Sequence, residues 1–280
     1  MYRVSKVLNN NGVIAIDMDE NKEYVILGKG VGFGKKVSQR FDKPEGCTTY
    51  RLEQETERGS AKELVKGIEP EYLEIADAIL TESQKVFGDS IDRGILFPLA
   101  DHISFAVARI RRNEQISNPL TEDIKVLFYS EFKVAETLKT ILRERLQIEI
   151  DDHEVGYVAL HIHSAIGDEK VSVAMQTARA VRECIDMIEK ATGKPIDVLS
   201  LSYNRLMNHM KYMVARASTG EKLNLDMNEY MLDQYPQAYK VATDICKNLE
   251  GCIGHKLDET ETGYLAMHIQ RVYKLSLIHI

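Results

Sequence analysis

Residues Asp151–Ala165, DDHEVGYVALHIHSA, fall on Asp258–Val272, DETETGYLAMHIQRV, when the chain is shifted against itself by 107 residues. The shared frame is Glu-x-Gly-Tyr, then Ala between two apolar residues, then His-Ile. Without a gap, the same shift sets Leu99–Arg109 (LADHISFAVAR) on Leu206–Arg216 (LMNHMKYMVAR), and Phe132–Ala135 on Tyr239–Ala242. Three blocks in one register predict two homologous domains. Their type follows from spacing. In Glu71–Val86 the apolar residues Leu73, Ile75, Ala76, Ile79 and Leu80 recur as on one face of a helix. The duplicated part is therefore expected to be two all-α helical bundles.

Working back to the N-terminus, the period changes. Tyr2–Leu8, Val13–Asp17, Glu23–Leu27 and Gly30–Phe33 are short and rich in Val and Ile. Asn9-Asn10-Asn11-Gly12 and Asp19-Glu20-Asn21 carry hairpin chemistry, since Asn and Gly tolerate positive φ. A small antiparallel all-β module over roughly 1–50 follows, too small to be comfortable alone and so expected to dimerise. Arg51–Gly67 is charged and weakly periodic, a linker or a frayed helix start. The expected division is 1–55 for the β domain, 56–67 for the linker, 68–171 and 172–280 for the helical domains.

Composition narrows the function. The net charge of -7 argues at first against a nucleic-acid partner. Yet residues 1–43 carry eight Lys/Arg against five acids, leaving the head at +3 and the remainder at -10, a pattern that suits a separate binding module. No stretch approaches the ~20 apolar residues of a membrane helix, and the first residues lack the pattern of a signal peptide. The 4 cysteines form no CxxC and no disulfide framework,. A cytoplasmic chain with reduced thiols and no cofactor is expected.

Of the 8 histidines, only His102 with His161, and His209 with His268, obey the repeat. His163 aligns with Gln270, His153 with Thr260 and His255 with Ile148, while His279 lies beyond the aligned block. A half-buried packing histidine is the plain alternative. It must explain two helices per domain keeping histidine while neighbours drift, Ile103 against Met210 and Leu160 against Met267. Metal binding wants ligands three or four apart on a helix, whereas His161 and His163 are two apart. A nucleophile elbow, a phosphate-cradling glycine loop and a paired-carboxylate motif are all missing, so no enzyme is expected. A neutral imidazole can instead accept a phosphoryl group, adding roughly −1.5 to −2 of charge. Arg109 and Arg216, two helical turns beyond His102 and His209, can hold such an anion. Sequence alone reads them first as surface residues.

The blocks DHISFA and GYVALHIHSA, then NHMKYMVAR and GYLAMHIQRV, resemble the two phosphotransferase-system regulation domains of transcriptional antiterminators that control sugar-utilisation genes. The head, KVLNNNGVIAI followed by ILGKGVGFGKK, is similar to the co-antiterminator RNA-binding domain of that family. The resemblance spans essentially the whole chain. It implies a dimeric head that binds a hairpin in leader mRNA and keeps an overlapping terminator from forming. It also implies histidine phosphorylation by the phosphocarrier protein and the sugar permease, at His102, His161, His209 and His268. Carried over by motif, the RNA contacts are Lys6, the cluster Asn9–Asn11 with Asn10 and Asn11 foremost, Gly28, Lys29, Gly30 and Phe33. Physics agrees: asparagine amides reach base edges, glycine admits close approach, and a ring stacks on an unpaired base. Gly32 and Gly34 suit an exposed Phe33. The sequence departs from the family pattern at Gly12, an added residue in the first hairpin, and in the apolar end Leu275–Ile280. The HIHSA string and the FGKK turn lean towards glucose-type members. The rival readings are a DNA-binding activator with the same regulation domains, whose head would be a helix-turn-helix, and a phosphotransfer or metal-dependent enzyme.

Overall fold

The structure, a computed structural model, describes every residue except Gln54, Glu57, Arg58, Gln115, Asp168, Glu169, Lys194, Val198, Leu199 and 276–280. Beyond Leu275, the apolar end with His279 lies outside the described residues. The chain divides into two compact units. One holds Met1–Asn118 and Ser130–Val171; the other holds Pro119–Tyr129 and the residues from Ser172 onward.

The head is a five-stranded antiparallel sheet. Its strands are β1 (Tyr2–Asn9), β2 (Gly12–Asp17), β3 (Glu23–Leu27), β4 (Arg40–Phe41) and β5 (Thr48–Arg51), in the order β4-β1-β2-β3-β5. Val4, Val13, Ala15, Ile26, Val31, Phe41 and Cys47 form its core, with Tyr2, Val7 and Tyr24 packed against it. The second turn is made as expected. Asn21 has φ 54, and the Asp17 carboxylate accepts from the backbone N–H groups of Asp19 (2.9 Å) and Glu20 (3.3 Å), an Asx-type turn. The first is made differently. None of Asn9, Asn10, Asn11 and Gly12 has positive φ. Register shifts between Val4 and Lys6 and between Val7 and Asn9 twist β1 instead, as bulges do, and the side chain of Asn9 closes the turn.

A two-stranded piece follows, β6 (Glu55–Thr56) with β7 (Gly59–Ser60). The stretch read as a linker or a frayed helix start then contains α1 (Ala61–Gly67), capped by the Ser60 hydroxyl on Glu63 N–H and burying Ala61 and Val65. Next come α2 (Pro70–Phe87), α3 (Leu96–Arg111), α4 (Thr121–Leu127), α5 (Tyr129–Ala135), α6 (Thr137–Leu146) and α7 (Asp152–Gly167). The last helices are α8 (Val171–Thr192), α9 (Leu201–Thr219), α10 (Asn228–Gln234), α11 (Pro236–Ile253) and α12 (Thr260–Leu275). The repeat is visible in the helix limits: α3 returns as α9, α4 as α10, α5 with α6 as α11, and α7 as α12.

Helix ends obey local chemistry. Pro70 and Pro236 sit at the first turns of α2 and α11, where a missing N–H costs nothing. In the second unit α9, α11 and α12 pack together with α10, and α4 lies on α9, where Tyr203 Oη donates to Asp123 (3.2 Å). In the first unit α2 and α3 pack with α7, and Phe97, Leu73, Ile75, Ile79 and Leu80 are fully buried between them. Burial of each such side chain contributes about 1.5–3 kcal/mol. The paired histidines of each domain thereby come from the two helices that carry the repeat blocks.

Candidate functional site

Two separate sites emerge. In the head, the loop from Gly28 to Gly34 folds back on the β1–β2 turn. Gly28 N–H donates to Asn11 O (2.9 Å), Gly32 N–H to Asn10 O (3.0 Å) and Gly30 N–H to Asn11 Oδ1 (3.0 Å). Buried Val31 anchors the loop from below. Turn and loop thus present one surface, on which Asn10, Lys29, Gly30 and Phe33 are exposed, while Lys6 is exposed on β1. Phe33 is 73% exposed. It is the barest phenylalanine among the described residues, Phe105 at 56% coming next, and it stands on the loop that the asparagine turn holds.

The other two proposed contacts have structural work. A Cβ on Gly28 would lie 2.4 Å from Cys47 Sγ, so close packing already requires glycine there. Gly30, by contrast, has open space but φ 73, which favours glycine for the turn. Asn11 clamps the loop through Oδ1 and donates Nδ2–H to Glu74 Oε2 (3.1 Å), while Asn9 Nδ2 donates to Glu74 Oε1 (2.7 Å). Arg145 stands 3.7 Å from the same carboxylate. Glu74, on α2, gave no sign of this in the sequence.

The histidine pairs are the second site. His102 on α3 and His161 on α7 bring their rings to 5.3 Å between centroids; His209 on α9 and His268 on α12 stack at 4.8 Å with 15° between planes. All four are buried. Burial first, then the neighbouring His268 and Arg216, pushes His209 down to about 3. Burial, with Arg271 and Arg205 nearby, pushes His268 down to about 4. Both rings are therefore neutral at pH 7, with a lone pair available.

A third residue completes each pair. Glu154, from the repeated Glu-x-Gly-Tyr frame, lies 3.5 Å from His102 Nε2 and accepts from Arg109 Nη2 (2.8 Å). Glu261 lies 3.8 Å from His209 Nε2 and takes a two-pronged bond from Arg216, at 2.6 Å from Nε and 3.0 Å from Nη2. Both carboxylates are buried. Burial alone would raise the Glu154 pKa, but His102 and Arg109 more than offset it and hold the group ionised. Arg109 and Arg216, expected to be surface residues, are instead half-buried partners of these carboxylates; their side chains are 24% and 14% exposed. His163, excluded by the repeat, pairs with Glu131 at 2.9 Å. Among the described residues no three His, Cys, Asp or Glu converge as a metal site, and no helix is long and apolar enough to cross a membrane.

An aromatic-tipped β surface joined to two helical domains with paired histidines defines a regulatory RNA-binding protein. The CAT RNA binding domain model matches residues 2–59, and the PRD domain model matches 77–165 and 182–272. The chain belongs to this family of transcriptional antiterminators, RNA-binding regulators controlled by phosphorylation from the sugar phosphotransferase system. It is 30% identical over 274 residues to the GlcA/glcB genes antiterminator of Staphylococcus carnosus, covering 96% of this chain and 94% of that one. To the transcription antiterminator LicT of Bacillus subtilis it is 27% identical over 276 residues, covering 97% and 99%. The crystal structure of GlcT CAT-PRDI covers 59% of this chain and 98% of its own, at 29% identity and a TM-score of 0.52.

Proposed function

We propose that the head, acting as a homodimer in the cytoplasm, holds a hairpin in leader mRNA upstream of sugar-utilisation genes, so that the overlapping terminator does not form. Lys6, Asn10, Asn11, Gly28, Lys29, Gly30 and Phe33 line the RNA surface. His102, His161, His209 and His268 accept phosphoryl groups from the phosphocarrier protein and the sugar permease, within regulation domains at 68–171 and 172–280 that follow a head at 1–55. The protein acts as a switch and turns over no substrate.

The observation that carries this reading is the bare Phe33 ring, raised on a loop that the asparagine turn holds in place. A ring so placed can stack on a base exposed in a bulge or loop, worth about 1–3 kcal/mol. Titration of the full chain with a bulged RNA hairpin tests it. Phe33→Ala is expected to weaken binding about ten-fold or more with the melting temperature unchanged. Equal affinity for the variant would take Phe33 out of the interface.

A further inference from the structure

Each histidine pair sits beside an Arg–Glu ion pair, its carboxylate buried and its guanidinium half-buried, that occurs twice in the same register: Arg109 with Glu154, and Arg216 with Glu261. A buried ion pair is weak evidence of stabilisation, because desolvation offsets the attraction. Retention of both members in both domains therefore calls for another reason. In the first domain Glu154 Oε2, His102 Nε2 and Arg109 Nε have no hydrogen-bond partner among the described residues, and neither has His209 Nε2 in the second. Glu154 Oε2 lies 3.5 Å from His102 Nε2, a loose contact beside the 2.8 Å bond that Arg109 makes to Oε1, so one carboxylate stands between the histidine and the arginine.

We propose that Glu154 and Glu261 are positioning residues that hold Arg109 and Arg216 in waiting, and that phosphorylation of the adjacent histidine pair transfers the arginine from carboxylate to phosphoryl group. The inference rests on these histidines being the acceptors. Transfer itself makes one P–N bond from the lone pair of the accepting ring nitrogen and breaks one P–N bond on the donor, whose ring takes that pair back. The new dianion then stands beside a buried carboxylate of like charge, with one guanidinium between them. Phosphate offers three acceptor oxygens to the carboxylate's two, and the higher charge draws the fork. Loss of arginine leaves the carboxylate uncompensated, which loosens the α3–α7 or α9–α12 contact and so carries the charge change into the domain.

A staple and an arginine exchange predict different signs. The full chain is incubated with the phosphocarrier protein and the phosphodonor domain of the sugar permease, both kept phosphorylated, and phosphohistidine lifetimes are then followed by peptide-resolved mass spectrometry. Glu154→Gln removes the competitor, so phosphohistidine in the first domain is expected to last about ten-fold longer, the factor set by one charge-assisted hydrogen bond. Arg109→Met removes the receiver and is expected to shorten it by a similar factor. The double variant Arg109→Met/Glu154→Gln buries no lone charge, and is expected to match Arg109→Met. Second-domain lifetimes are the internal control for folding and should stay constant. Lifetimes that move together in the two single variants, or do not move, overturn the exchange. Absence of phosphoryl on all four histidines of the unaltered chain overturns the acceptor assignment instead.

Discussion

At His209 and His268 burial keeps the rings neutral but works against acid stability. Their pKa values fall from 6.5 to about 3 and about 4 in the folded chain. Between those limits the unfolded chain binds protons that the folded one does not, so stability rises with pH up to about 6.5 and is lost as pH falls below it. Each pKa unit is worth about 1.4 kcal/mol, so the effect is several kcal/mol across the window. Thermal melts from pH 7 to pH 4.5 should show the second domain weakening steeply, and His209→Asn should flatten that slope; a parallel decline in the variant would place the acid lability elsewhere. The four histidines were legible because a repeat isolates what neighbouring residues do not keep. Their glutamates stood in the same repeated frame, Glu154 on Glu261, and still went unread. A glutamate in a helix reads as solvated, and only packing of α3 on α7 and of α9 on α12 shows that these are buried. Arg109 and Arg216 were misplaced for the same reason.

At the scale of elements, two periods separated head from body without ambiguity, since strands alternate and helices recur near 3.6. What sequence did not show was how turns and neighbours use the same polar residues. The Asn9–Gly12 turn closes by bulges and side-chain bonds with no left-handed residue, because the register shifts in β1 supply the twist that positive φ in the turn would otherwise match. Ser60 converts the end of the charged stretch into the start of α1, a cap too short in context to read beforehand. Nothing local links Glu74 with Asn9 and Asn11, more than sixty residues away. That contact has a measurable consequence. RNA that uses the Asn11 amide must first displace the carboxylate, so Glu74→Ala in the full chain should tighten RNA binding several-fold, in keeping with about 1 kcal/mol for a net hydrogen bond. If affinity in that variant is unchanged, Asn11 is a clamp for the Gly30 loop and does not touch RNA.

For the whole molecule the question is how a chain of net charge -7 holds a polyanion. Salt dependence answers it, because it counts only the cations that displace counterions from phosphates, each adding about 0.7 to 0.9 to the slope of log affinity against log salt. One head offers Lys6 and Lys29 on the proposed surface, both exposed. A single head would then give a slope of about −1.5, and affinity would fall about eight-fold between 50 and 200 mM salt. Two heads on one hairpin double the count to about −3, a fall of about sixty-fold. The dimeric reading therefore predicts the steeper slope, and Lys29→Ala should bring it back to about half by removing one cation from each head. Base stacking by Phe33 is nearly insensitive to salt, so Phe33→Ala should lower affinity at every salt concentration and leave the slope alone. A slope near −1.5 in the unaltered chain would mean that one head suffices, and that the acidic helical domains, rather than a second head, set how phosphorylation reaches the RNA.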